Sequence, residues 1–376
     1  MKTTVLGLYN VMSGGAFADA TVFALSIQPY INASIIIQLL TVAIPALERM
    51  AREEGEEGRK KIASITRYTT VGIGLIQGFA YYMLMRNQYN ILTNDSIAAA
   101  FVIIVTFVAG SAFIMWLGEQ ITEFGIGNGI SIILFASIIS RIPAGIGTMY
   151  SNREVLGVPG IVGILVGLLA LIVLITHVYN AERRIPVQYA KRQVGRKMYG
   201  GQSTTLPVKV NMSGVLPIIF AQSIAMLPAT IAAFLPAPQE GSFWYGFIQA
   251  IDTKSVLYML AYFLMIIGFS YFYATIQFNP TEIANNLKRN GGFIPGFRPG
   301  KPTADFIAKV LSRITLFGAI YLGIVAIAPL VASKFISISG LAIGGTSVII
   351  VVGVALETIK ALENQMLARQ YKGFLE

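Results

Sequence analysis

Nine stretches of this chain are each long and apolar enough to cross a lipid bilayer as a helix. They cover residues 20–45, 65–85, 97–121, 130–150, 159–179, 213–235, 255–276, 306–331 and 346–367. A helix needs about 20 mostly apolar residues to span the hydrocarbon core. None of the stretches has the alternating pattern, repeated over about ten residues, of an outer-membrane barrel strand. The sequence therefore predicts an all-α membrane protein, a polytopic helical bundle. Charge content agrees. Only 12% of the 376 residues are charged, against roughly 25% in a soluble domain, so polar surface is too scarce to cover a water-soluble globule.

The basic residues orient the bundle. Of the 28 Lys and Arg residues, 22 fall in one set of alternate loops and adjoining span ends, and six fall in the other. The crowded side holds Arg49 to Arg67, Arg183 to Lys209, Lys288 to Arg313 and Lys360 to Lys372. The positive-inside rule makes that side cytoplasmic. The C-terminus then lies inside and, with nine spans, the N-terminus outside. Residues 1–20 carry one Lys and no apolar core of a signal peptide. A membrane protein would not normally begin this way, so a further span ahead of Met1 is expected.

Several chemistries are excluded. Cysteine is absent and His177 is the single histidine. Thiolate chemistry, disulfides, Cys-ligated metal and His-cluster sites all fall away. His177 lies near the cytoplasmic end of its span and reads as interfacial rather than as a proton relay. Charge within the stretches is sparse: Arg67, Glu119, Arg313 and Glu357 are read as lying towards span ends, and Arg141 is counted on the outer side. Ion-coupled transporters need intramembrane ionisable groups for their relays. Two glycine runs touch nucleotide motifs and fail them. In 295–302, Pro295 stands where a phosphate loop has its first Gly, and Pro302 stands where it has Ser or Thr. Gly125-Ile126-Gly127-Asn128-Gly129 follows a span rather than a strand, and so reads as a tight turn between two spans.

Uncharged polar residues do occur within spans, among them Asn32, Ser34, Gln38, Gln222 and Ser223. They suit either interhelical hydrogen bonds or a polar seam along which two helices part. A short echo adds to this. Pro29-Tyr30-Ile31-Asn32-Ala33 and Pro217-Ile218-Ile219-Phe220-Ala221 share the pattern Pro-x-Ile-x-Ala. The charge reading runs these two spans in opposite directions, as in an inverted repeat; a match this short also arises by chance.

Two cytoplasmic loops are long and basic, 180–212 and 278–305. Arg and Lys alternate there with Tyr, Phe and Gly, which suits phosphate contacts and stacking, as on RNA, or an acidic protein face. Orientation charge alone accounts for the same residues equally well. Pro and Gly punctuation around Arg298 predicts a shaped, ordered tip in the second loop.

Longer motifs identify a family. Residues 26–41, SIQPYINASIIIQLLT, resemble the second transmembrane helix of bacterial SecY, the channel subunit of the protein translocon. Residues 54–62, the junction 116–131, and the segments at 189–204 and 278–300 resemble its following loop, its fourth-to-fifth helix turn and its two large cytoplasmic loops. The likeness covers essentially the whole chain, which begins inside the family's plug segment. The resemblance implies nine of ten spans in a pseudo-symmetric inverted repeat. Residues 1–19 would be a partial plug, 20–150 spans two to five, and 151–376 spans six to ten.

The resemblance further implies an apolar pore ring of Ile27, Ile31, Ile130, Leu134, Ile219 and Ile350. A loosely packed plug would hold Ser13, Gly14, Gly15 and Ala16. A lateral gate would involve Gln38, Thr69, Gln222 and Tyr262, and a docking surface Arg196, Lys197 and Arg298. Implied partners are the SecE and SecG subunits, the SecA ATPase, the ribosome, signal peptides, nascent chains and membrane lipid, with no cofactor. Three functions compete: a passive protein-conducting channel, a small-molecule secondary transporter and a membrane-embedded enzyme. The enzyme lacks a central acid–base constellation, and charge within the spans is sparse for a transporter.

Overall fold

A computed structural model describes residues 10, 12–52, 54–87, 92, 96–189, 192–194, 197–199, 203–212, 214–234, 246, 255–335 and 345–372. Each of the nine apolar stretches falls on a helix or on a broken helix pair. The first is α1 (Gln28–Ala43), with α2 (Pro45–Arg52) beyond it, bent by 106°. Then come α3 (Gly55–Asn87), α4 (Ile97–Phe124), α5 (Gly129–Ile139), α6 (Ile142–Ser151) and α7 (Arg153–Asn180). After a stretch of strands follow α8 (Leu216–Phe234), α9 (Val256–Gln277), the short α10 (Pro280–Arg289), α11 (Lys301–Phe335) and α12 (Gly345–Lys372). Among the described residues five helical segments are long and apolar enough to cross a membrane, or six if the α1–α2 pair is one span.

The first span is shorter than its hydropathy suggests. Residues 13–27 run as successive turns, with Ala20 and Ser26 in the left-handed region at φ 48° and 49°. Such a backbone cannot continue a right-handed helix. The helix starts only where Pro29, in the first turn, fits a fixed helical φ without losing a needed N–H. Its far end is set by Pro45. The residue before a proline is pushed out of the helical region, and Ile44 is extended at φ −108°, ψ 112°. The chain turns there into the polar α2, which holds Glu48, Arg49 and Arg52.

The glycine-rich run at 125–129 is the tight turn its sequence predicts. Gly127 has φ +77°, and Asn128 Oδ1 accepts from the backbone N–H of Ile130 and Ser131 at 3.0 and 3.3 Å, capping α5. Gly129 sits where α4 and α5 touch, and a Cβ there would overlap the backbone oxygen of Gly118. Because backbone cannot yield as a flexible side chain does, Gly129→Val is expected to cost at least about 1–3 kcal/mol. Detergent-solubilised Gly129→Val protein should melt earlier than its parent and accumulate poorly in membranes. Parent-like melting would show that the two helices separate freely.

Packing arranges the helices in two groups. In the first, α1 packs on α3 and α4, α3 on α4, and α4 on α5; in the second, α9 lies between α8 and α11, and α12 lies against α7 and α11. The groups meet along two lines: α8 against α1 and α3, and α12 against α5. The main buried cluster lies between them and draws on α1, α5, α7, α8, α9, α11 and α12. Outward faces are apolar without being buried. On α7, Val162, Leu165, Val166, Leu169 and Val173 are all exposed, which fits lipid as the solvent for that face.

The loop 180–212 is not irregular. It forms a hairpin of β1 (Glu182–Tyr189) and β4 (Ser203–Lys209), with β2 (Arg192–Val194) and β3 (Lys197–Tyr199) paired beyond it. The second basic loop adds β5 (Gly292–Phe293), antiparallel to the end of β1 with Gln188 opposite Phe293. The two loops thus share one sheet, ordered β4-β1-β5. Its buried side, Ile185, Val187 and Val208, packs with Ile294 and with Ile307 and Leu311 of α11.

Candidate pore, seam and docking loops

The six proposed ring residues converge. Ile27 and Ile31 lie at the start of α1, Ile130 and Leu134 on α5, Ile219 on α8 and Ile350 on α12. Two of these helices come from each group. Ile27, Ile31, Leu134, Ile219 and Ile350 are buried in the central cluster, and Ile130 packs against it partly exposed. The i, i+4 spacing of Ile27 with Ile31, and of Ile130 with Leu134, stacks each pair on one helix face. Gly118 on α4 makes room for two of them. A methyl group there would touch Ile130 Cγ1 and Ile27 Cδ1, both at 3.6 Å.

The Pro-x-Ile-x-Ala echo gains structural meaning at this point. Pro29 and Pro217 each occupy the second residue of their helix, so Ile31 and Ile219 both fall in first turns that enter one cluster. The same alignment puts Val215 opposite Ile27. Val215 is buried in the cluster and is absent from the expected ring; the echo, extended two residues upstream, points to it. Among the described residues the buried polar side chains are Ser, Thr and Gln alone, with no buried charge.

Ser13, Gly14, Gly15 and Ala16 lie against the end of α5 that the charge reading places outside. A Cβ on Gly14 would come 3.2 Å from Ser140 Oγ, and one on Gly15 2.6 Å from Arg141 Nη1. Both glycines have positive φ, 66° and 98°, a region that favours residues without Cβ. The expectation of loose packing is corrected by their neighbours. Met12 and Phe17 flank the run, and both are buried. The Phe17 ring lies 4.5 Å from that of Tyr81, whose hydroxyl donates to the Phe17 carbonyl. Ser13 Oγ accepts from the Phe17 N–H at 3.1 Å. Large anchors therefore exist, one residue beyond each end of the small-residue run.

Three of the four gate residues lie on helices that meet. Gln38 on α1 and Thr69 on α3 are half-buried, Gln222 on α8 is buried, and α8 packs on both other helices. Thr69 spends its hydroxyl on its own helix, donating to the Ile65 carbonyl at 2.9 Å. The fourth, Tyr262, is on a helix that packs on α8. It sits on α9, buried, with its hydroxyl 3.4 Å from Thr346 Oγ1 on α12. Its hydrogen bond thus lies within the second helix group rather than across the meeting line, because α9 is held between α8 and α11.

Of the three docking residues, Arg298 is exposed in the turn between β5 and α11. Gly296 and Gly300 bracket it at φ 87° and 106°. Thr303 donates to its carbonyl at 2.8 Å, and the neighbouring Phe297 ring packs 4.2 Å from Phe306. The tip is ordered, as its Pro and Gly content predicts. Lys197 begins β3, opposite Val194. Arg196 lies outside the described residues.

A model of the SecY family matches residues 21–359. The chain belongs to the SecY family. The protein translocase subunit SecY of Streptomyces scabiei is 44% identical over 384 residues, covering 99% of this chain and 87% of that relative. The SecY of Halalkalibacterium halodurans is 44% identical, covering 100% of this chain and 89% of its own length. A solved protein-conducting channel superposes with a TM-score of 0.68 at 19% identity, over 96% of this chain and 85% of that one. The SecY-type fold of a multi-pass membrane protein follows. Met12, buried in the central cluster, is a placement that sequence reasoning misses: a lone methionine in a run of turns carries no pattern.

Proposed function

We propose that this chain is a protein-conducting channel. It passes unfolded secretory polypeptides across the bacterial cytoplasmic membrane and releases transmembrane segments sideways into lipid. It performs no covalent chemistry. SecA or the ribosome supplies the drive, SecE and SecG complete the complex, and the C-terminus faces the cytoplasm. Residues 20–150 and 151–376 act as two halves around the pore. The observation that carries this reading is the apolar throat: Ile27, Ile31, Ile130, Leu134, Ile219 and Ile350 brought together from four helices, two on each side.

Such a throat does what a polypeptide conduit needs. A narrow apolar constriction excludes water, and ions do not shed their hydration shells to enter it. No side chain in it offers a specific contact, so any sequence can pass. A substrate-specific transporter would need convergent polar or charged groups at the same depth. Photoactivatable probes placed at Ile31, Leu134 and Ile219 should each cross-link to a secretory polypeptide arrested during export. Labelling confined to lipid and to neighbouring helices would remove the channel reading.

A further inference from the structure

Met12 lies between the two helix groups. Its Sδ accepts from Gln28 Nε2 at 3.1 Å and from Gln222 Nε2 at 3.3 Å. All three side chains are buried, with 2–3% of each exposed. Gln28 opens α1 and Gln222 lies on α8, the helices that face each other where the groups meet. Met12 is 16 residues from one partner and 210 from the other, so this contact is made by the fold and not by local sequence.

A thioether is a weak acceptor, yet a buried amide N–H without any acceptor is costly. One sulfur therefore satisfies two amides that would otherwise both lack a partner, and it does so only while α1 and α8 stay together. Gln222 Oε1 and the adjacent Ser223 Oγ find no protein partner among the described residues. The junction is thus held by a few weak bonds and is not a fully satisfied network. This is the balance expected of a contact that must break.

Resting on the channel reading above, we infer that Met12 is a positioning residue of the closed state. Its thioether latches the plug segment across the seam by accepting one amide from each side. Separation of α8 from α1 breaks at least one of the two bonds and releases the α8-side hold on the segment that carries Ser13 to Ala16, while Phe17 stays held by Tyr81 on α3. A side chain that only fills space would serve packing and make no demand on Gln222.

The test uses the complete translocon in planar bilayers, with resting current as the readout. Met12→Leu keeps the volume and removes the acceptor, and is expected to raise resting open probability about tenfold. Gln222→Leu is then combined with it. If the sulfur works through Gln222, Met12→Leu adds distinctly less in the Gln222→Leu background than in the parent. Deletion of residues 12–17 serves as the reference for the plug itself and should leak more than either point variant. Electrical silence of Met12→Leu alongside a leaking deletion would overturn the latch and keep the plug. Equal, additive leak in both backgrounds would also overturn it, by showing that Met12 acts through packing alone. Silence of the deletion would overturn both.

Discussion

A translocon carrying Ile31→Asn and Ile219→Asn together is expected to conduct ions at rest where its parent is silent. Both residues are buried in the first turns of their helices, one from each helix group, in the cluster proposed as the throat. An amide moved into an apolar site without a partner costs roughly 2–7 kcal/mol, and the cheapest relief is to admit water. Two amides in one apolar cluster supply polar atoms that can hold a short water column, and ions follow water. Export should persist, because a moving polypeptide needs passage and not the seal. Leu134→Ala is the contrasting case. It opens space, at about 2–5 kcal/mol for a buried leucine, but it leaves the throat apolar and so should leak less than the double Asn variant. Single-channel conductance in planar bilayers measures both. A silent double variant would place the seal away from this cluster.

The parts of this fold legible in the sequence are those set by local composition. Hydropathy finds the apolar helices, because the length of an apolar run fixes whether it can cross lipid. The first predicted stretch ends at Pro45, and the 106° turn into α2 falls there. The six residues proposed for the ring, named through the family likeness, meet in one cluster, and the echoed Pro-x-Ile-x-Ala places two of them equivalently. Three features were not legible, each for the same reason. The pairing of β1 with β5 joins residues about a hundred positions apart, through two ladder positions. The start of α1 depends on left-handed residues, Ala20 and Ser26, whose side chains do not favour that conformation. The contacts of Met12 and the inward placement of Tyr262 depend on which helices become neighbours. Tertiary packing decides all three, and no pattern along the chain encodes it.

Reversing the charge of Arg298 should separate docking from insertion. Arg298 is exposed and forms no ion pair among the described residues, so Arg298→Glu removes no internal support. Its backbone is fixed by the Thr303 hydrogen bond and by the Phe297–Phe306 packing, which the substitution leaves in place. Through β5 and β1 its loop is joined to the hairpin that leads to Lys197, so a partner docking here would push on one shared sheet. A guanidinium held in such a turn presents a planar, preorganised donor. Loss of a charged, hydrogen-bonded contact at an interface costs about 2–5 kcal/mol, or roughly 30-fold to several thousand-fold in affinity. The membrane orientation should not change, since 22 of the 28 basic residues lie on this side and one reversal barely alters that imbalance. Arg298→Glu protein is therefore expected to insert normally and accumulate at parent levels. Export driven by SecA into inverted membrane vesicles should fall steeply, and Arg298→Lys should lie between the two. Parent-like export by Arg298→Glu would mean that the charge serves orientation and that no partner reads it.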